Sequence, residues 1–165
     1  MSVKLLIELL EKHVKLHKGL LELANQKTEV LKKGDMEALS GIMKQEQKYI
    51  AAINQVERER MHVVEAMVNT AGKHEHERTL TTCIELVEES ERSVLERLKD
   101  ELSAVVSELK NINLLNQQLT QQSLQFVNMT LDMIMPQPQE VNYGIPNAAT
   151  TPQYENSRSI FDSKA

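Results

Sequence analysis

Two pairs of histidines are the side chains in this sequence whose spacing is closest to that of metal ligands. His13 and His17 are four residues apart, which can place both imidazoles on one metal ion. Neither a cysteine nor a third histidine lies near them in the sequence. His74 and His76 lie in a polar stretch that is typical of solvated side chains. We therefore predict no metal site.

Nucleophilic or acid–base catalysis has little support in the sequence. Cys83 is the single cysteine, and it lies near the start of a predicted helix, where a thiol pKa can be lowered. No motif supplies the base and the oxyanion site that catalysis by this thiol requires. The acidic cluster at 88–91 is predicted to be a solvated helix face, and the five glycines are too scattered to form a phosphate-binding loop. We predict neither enzymatic activity nor a cofactor.

The composition favours long amphipathic helices. Of the 165 residues, 41% are hydrophobic and only 3% are aromatic, which leaves little material for a sheet. The net charge of −5 argues against nucleic acid or an anionic membrane as partner, because both bind clustered Lys and Arg. One cysteine suits a reducing compartment, and neither a secretory segment nor an apolar run of about 18 residues is present. The sequence thus predicts a cytoplasmic protein with no membrane insertion.

The heptad spacing of apolar residues predicts an all-α fold of three long antiparallel helices with coiled-coil-like packing. The helices are expected at about 2–33, 36–71 and 79–135. Gly34 and Asp35 supply a helix stop and a new helix cap, Gly72 ends the second helix, and Thr79 is a plausible cap for the third. Glu46 and Arg60 occupy polar positions of the heptad pattern and are predicted to fix the register between helices.

The proline-rich composition from Pro136 onward predicts a flexible tail at 136–165, following a helical domain at 1–135.

The third helix is predicted to be longer than its neighbours. At about 1.5 Å per residue the three helices would span roughly 45, 54 and 85 Å. An antiparallel second helix would therefore cover the third only to about residue 114, and the third helix would overhang. The overhanging part of the third helix begins where charged residues end, because Asn111 to Leu131 contains no charged residue and no histidine. A soluble protein rarely exposes such a surface without a use for it.

Two opposite faces of this overhang are apolar. Phe126, Met129 and Met133 lie on one face, in continuation of the upstream heptad pattern. The opposite face carries four further apolar residues: Leu124, Val127, Leu131 and Ile134. A helix that is apolar on two sides is expected to have two partners or to be fully buried.

Three structures satisfy this pattern. The exposed helix can bind a partner protein, or the chain can turn at Asn111 or Asn116 and fold back as the fourth helix of a closed bundle. Self-association of the same faces in a homodimer is the third.

The third helix and the residues after it resemble the FlgN-type flagellar export chaperones. The resemblance depends on Asn111-Ile112-Asn113-Leu114-Leu115, on the Gln/Leu-rich segment 116–122, on the proline exit after Met135 and on Tyr143-Gly144. The first two helices fit this family in length and heptad character, but they are generic. The resemblance covers nearly the whole chain, and its specific part is 111–144.

The resemblance implies a chaperone that binds the C-terminal helical segments of hook–filament junction proteins and delivers them to the export gate. Client contacts in the family fall on the last helix, which here matches Leu115 to Met133. The client-binding residues implied in this way are Leu115, Gln118, Leu119, Gln122, Phe126, Met129 and Met133. Tyr143 and Gly144 match the family's contact with the cytoplasmic domain of the gate. The final segment 159–165 matches no role in the family. The alternative function is a helical homodimer or adaptor that uses the same apolar faces for self-association.

Overall fold

The computed structural model describes residues 2–72 and 78–135, which are helical apart from short connections and contain no strand. Its four helices are α1 (Ser2–Lys33), α2 (Met36–Thr70), α3 (Leu80–Glu85) and α4 (Glu89–Ile134). The predicted all-α class is confirmed. The predicted tail at 136–165, which includes Tyr143 and Gly144, lies outside the described residues.

The turn between α1 and α2 forms as its residues predict. Gly34 has a φ of 70°, a conformation that favours glycine, and its N–H donates to the Leu31 carbonyl at 3.2 Å. The Asp35 N–H donates to the Val30 carbonyl, and the Asp35 carboxylate accepts a hydrogen bond from the Ala38 N–H at 3.0 Å. This turn makes α1 and α2 antiparallel neighbours, with Lys27 on α1 paired to Glu46 on α2 at 2.8 Å.

The predicted continuous helix from Thr79 is interrupted at residues 86–88, so the chain has four helices rather than three. Thr79 does cap a helix, because its hydroxyl accepts from the Thr82 N–H at 3.1 Å, but that helix is only the short α3. The chain is extended at Glu88 before α4 begins. The break lets Cys83 and Ile84 pack into the core, and this burial of apolar groups outweighs the local preference for one helix.

The hydrophobic core lies at the end of the molecule where α4 begins. It joins residues from all four helices, and its members with the lowest exposure are Leu6, Leu10, Val68, Cys83 and Leu95.

Helix α1 lies between α2 and α4, and it is α1 rather than α2 that makes the extensive contact with α4. The contacts of Lys18 with Glu101 and of Thr28 with Asn116 show that α1 and α4 run parallel. The expectation that α2 covers the last helix is therefore wrong. Antiparallel packing holds for α1 and α2, and the long connection through α3 allows α4 to pack on α1.

A matched pair of glycine substitutions tests the packing of α1 against α2. A Cβ added at Gly19 would lie 2.8 Å from Cζ of Tyr49, whereas nothing lies within 4 Å of a Cβ added at Gly41. We expect Gly41→Ala to raise the free energy of unfolding by about 0.5–1 kcal/mol, through helix propensity alone. Gly19→Ala should lower it by about 1 kcal/mol, because displacing the ring costs more than the propensity gain. Urea unfolding followed by circular dichroism measures both, and equal increases would contradict the close contact.

Candidate functional site

The last buried residue of α4 is Asn116, and it joins α4 to the end of α1. Its side-chain amide donates to the Ala24 carbonyl at 2.8 Å, and its amide oxygen accepts from the Thr28 hydroxyl at 2.6 Å. The Thr28 hydroxyl also lies 3.1 Å from the Ala24 carbonyl. The alternative of a turn at Asn116 is wrong, because this residue lies inside a continuous helix and is held by buried hydrogen bonds.

Beyond Asn116 the helix leaves its neighbours, and we call residues 121–134 the overhang. Leu119 is half-buried against the bundle, and every residue from 121 to 129 is exposed. The overhang thus begins a few residues beyond the predicted position of about 114. Within the described residues α4 does not fold back, which excludes the closed four-helix bundle for this structure.

One face of the overhang continues the row of α4 residues that pack on α1. Leu98, Val105 and Leu109 are buried in this row, and the same heptad spacing leads through Leu119 to Phe126 and Met133. Phe126 is 70% exposed and Met133 is 81% exposed. We call this the seam face, and we extend the name to the same side of α4 from Leu115 onward. All seven residues proposed for client binding lie on it: Leu115, Gln118 and Leu119 before the overhang, and Gln122, Phe126, Met129 and Met133 within it.

The opposite side of the overhang, which we call the outer face, is exposed like the seam face. It consists of four large apolar residues, each at least 47% exposed: Leu124, Val127, Leu131 and Ile134. The two faces together form an apolar surface with no cover from the described residues. Such a surface marks a protein–protein contact site.

Three hydroxyls on or next to the overhang are satisfied within the helix. The hydroxyl of Thr120 donates to the Asn116 carbonyl, that of Ser123 to the Leu119 carbonyl and that of Thr130 to the Phe126 carbonyl, at 2.8–3.0 Å. Hydroxyls that bond back to their own helix need no partner from water or from another protein. These hydroxyls therefore add little to the cost of desolvating the overhang, and Asp132 is its single charge.

A buried histidine lies between α1 and α2. His13 is 4% exposed, and its Nε2 lies 3.2 Å from Oε2 of Glu57, although neither ring nitrogen has a well-aligned hydrogen bond. Burial lowers the pKa of His13 below its ordinary value of 6.5, against the opposing effect of the Glu57 carboxylate. Arg60 donates two hydrogen bonds to that carboxylate and lowers the pKa of Glu57. The arrangement is typical of a structural polar cluster.

This cluster gives the stability of the protein a pH dependence. Since the pKa of His13 is lowered on folding, the unfolded chain takes up a proton below about pH 6.5 that the folded protein does not. We expect the free energy of unfolding to fall between pH 7.5 and 5.5, and His13→Leu to reduce that fall. Urea unfolding at the two pH values measures the effect, with His62→Gln as the exposed control. An undiminished fall in His13→Leu would contradict this assignment.

The other candidates for chemistry are structural where they are described. His13 and His17 stack with their ring centroids 5.5 Å apart, and residues 2–72 and 78–135 contain no cluster of three potential ligands that could hold a metal ion. Cys83 is fully buried, and this burial raises its thiol pKa. The expectation that a helix N-terminus lowers the pKa of Cys83 is therefore wrong. His74 and His76 lie outside the described residues.

Of the two polar residues at heptad positions, Glu46 and Arg60, only Glu46 forms an ion pair between α1 and α2. Glu46 pairs with Lys27 across the two helices, as the expectation of a register-fixing contact requires. Arg60 instead pairs within its own helix, with Glu57.

Comparison with known proteins identifies the family. The family model described as "FlgN protein" matches residues 1–151. The chain belongs to the FlgN family. A relative from Bacillus subtilis (strain 168), named "Uncharacterized protein YvyG", is 39% identical over 165 residues, which cover the whole of both chains. No solved structure matches significantly.

Membership in the FlgN family makes this chain a flagellar export chaperone, which binds flagellar client proteins. The FlgN family is a family of chaperones and not of enzymes. None of the helices in 2–72 and 78–135 has the length and apolarity needed to cross a membrane.

Proposed function

We propose that this chain binds the C-terminal helical segments of hook–filament junction proteins on the seam face of its overhang. The observation that supports this most directly is the exposure of Phe126, Met129 and Met133 in one row beyond the end of α1. A client helix on this face would continue the line of α1, and its apolar side would replace the contacts that α1 makes lower on α4. This is the helix-in-groove mode of recognition.

The chemistry of the seam face suits clients with different sequences. Met129 and Met133 are unbranched and can repack around different apolar side chains. Gln118 and Gln122 offer hydrogen bonds without the cost of desolvating a charge. The decisive experiment places a charge at Phe126 and measures the affinity for a purified hook–filament junction protein. Unchanged affinity would refute this site.

We further propose that the chaperone acts in the cytoplasm and that Tyr143 and Gly144 contact the cytoplasmic domain of the export gate. This assignment is supported by family membership and by the match of Tyr143-Gly144 to the family's gate contact. A tyrosine combines a large apolar ring with a hydroxyl, which suits a small and transient contact. Separate sites would let one chaperone hold its client and engage the gate together.

Replacing Tyr143 separates the two contacts. We expect Tyr143→Ala to leave client affinity within about twofold of the original, and to weaken binding to the purified cytoplasmic domain of the gate by tenfold or more, as for the loss of a central aromatic contact. Titration of each partner by calorimetry gives both values. Loss of client affinity in the same variant would mean that Tyr143 belongs to the client site. Tyr154→Ala is the matched control.

Self-association of the overhang is the second candidate, because two uncharged apolar faces can also pair with a second copy. Sedimentation of the protein alone across a concentration range tests it. A dimer that client does not dissociate would favour this candidate.

A further inference from the structure

A row of exposed apolar residues runs along one face of α2. Met36, Met43 and Ile50 are 61%, 47% and 48% exposed. Their spacing of seven residues is nearly two helical turns, so they share one face of α2. The spacing is readable in the sequence, but these residues fall outside the buried heptad positions.

Ile50 marks where this row meets the groove. It lines a groove together with Lys27 and Glu46 on one side and with residues of α4 on the other, namely Asn113, Asn116, Gln117, Thr120 and Gln121. The groove exists because α1, lying between α2 and α4, keeps those two helices apart. Its two charged groups, Lys27 and Glu46, neutralise each other at 2.8 Å.

The outer face of the overhang leads into this groove. Counting back one heptad from Val127 reaches Thr120, one heptad from Leu124 reaches Gln117, and one more from Thr120 reaches Asn113. These three are among the five α4 residues that line the groove. From Asn113 to Ile134, at about 1.5 Å per residue, the continuous surface is roughly 32 Å long.

A helix docked on the seam face leaves this surface uncovered. The two faces point in opposite directions, and one helix of about 10 Å diameter cannot cover both. A helix on the seam face would also meet the end of α1, whereas a helix on the outer face has a free path along the groove. Two docked helices are needed to cover the apolar surface.

We propose that a second amphipathic helix of the same flagellar client occupies the outer face and the groove between α2 and α4. This inference is based on the proposed client binding at the seam face. The face of the second helix that contacts the groove is apolar and uncharged, because the walls of the groove offer no unpaired charge to a charged client residue. The second helix spans about 20 residues. With α1, α2 and α4 it completes a four-helix arrangement along the groove.

The length of the surface favours a client helix over a second copy of this chain. An overhang of about 14 residues spans roughly 21 Å, which is too short for the 32 Å surface. Two overhangs paired with each other would also leave Ile50 and Met43 uncovered.

Substitutions on the two faces, and in the groove remote from the overhang, test the proposal. The variants are Phe126→Asp, Val127→Asp and Ile50→Asp, with Leu5→Asp as control because Leu5 is 46% exposed at the other end of α1. Each is titrated with a purified intact hook–filament junction protein and with a synthetic peptide of its C-terminal helix alone. Circular dichroism and thermal unfolding verify that each variant is folded.

We expect Val127→Asp and Ile50→Asp to weaken binding of the intact client tenfold or more and to leave binding of the single-helix peptide unchanged. Phe126→Asp should weaken binding of both the intact client and the peptide, and Leu5→Asp should weaken binding of neither.

If only Phe126→Asp weakens binding of the intact client, the second helix is refuted and the seam-face site stands. If Phe126→Asp also binds normally, the proposed function itself fails. If Val127→Asp and Ile50→Asp instead dissociate a homodimer without affecting client, the occupant is a second copy and our inference is wrong.

A crosslinking measurement gives an answer without an added charge. Met43→Cys places an exposed thiol one heptad before Ile50, on the same face of α2, while the native Cys83 is fully buried and does not compete for reagent. A short thiol-directed photocrosslinker at this position should capture the intact client but not the single-helix peptide. Failure to capture the intact client at saturating concentration would overturn the proposal.

Discussion

Phe126→Asp should lower the affinity for a hook–filament junction protein by about 100-fold or more and leave the bundle folded. Phe126 is the large aromatic residue at the centre of the seam face, and it is 70% exposed in the free chain. Removing an aromatic anchor from the centre of an interface costs about 2 kcal/mol or more, and a carboxylate without a counter-charge adds a desolvation cost. Together these exceed about 2.7 kcal/mol, which is a factor of about 100 in affinity.

Isothermal titration with purified client measures this effect, and circular dichroism verifies the helix content. Asn128→Asp is the matched control. It adds the same charge one turn before Asp132, on the flank between the two faces, and should change the affinity by less than about threefold, as expected for the rim of an interface. Equal losses in both variants would mean that any added negative charge on the overhang disrupts binding, and the seam face would lose its special role.

Asn116→Asp should be the most destabilising of the near-isosteric changes in α4. The substitution removes the donor that holds the Ala24 carbonyl and places a buried carboxylate against that oxygen. We expect a loss of about 2–4 kcal/mol in the free energy of unfolding at pH 7, although the Thr28 hydroxyl still donates to the new side chain. Asn113→Asp is the control, since Asn113 is exposed on the same helix, and it should cost less than about 0.5 kcal/mol.

The loss in Asn116→Asp should shrink as the pH falls. Burial beside a carbonyl raises the pKa of the introduced carboxyl above its unfolded value of about 3.9, so the deficit is present at neutral pH and diminishes as the carboxyl becomes protonated. The protonated carboxyl can donate to the Ala24 carbonyl as the amide does. Urea unfolding of variant and parent at pH 7 and pH 4.5 measures the difference. A deficit that is independent of pH would show that the carboxyl is solvated, and Asn116 would not be the buried link between α1 and α4.

Family membership and helical class were accessible from the sequence because they depend on local and periodic features. Gly34 and Asp35 specify a turn through their own backbone and side-chain chemistry, and the structure confirms both. The absence of charge from 111 to 131 is a property of composition. The seven site residues on the seam face share a helix, and helical periodicity is enough to group them. Their role in client binding remains a prediction.

The sequence by itself determined that this protein is built of long helices and that its last helix has an uncharged, doubly apolar end. Only the tertiary structure decided that α1 lies between α2 and α4, that Asn116 is a buried link instead of a turn, and that Ile50 lines a groove between α2 and α4. The physical reason is that heptad patterns specify which face of a helix is buried, but not against which neighbour. That choice depends on the free energy of packing the whole bundle, including the burial of Cys83 and Ile84 that breaks the predicted third helix at 86–88.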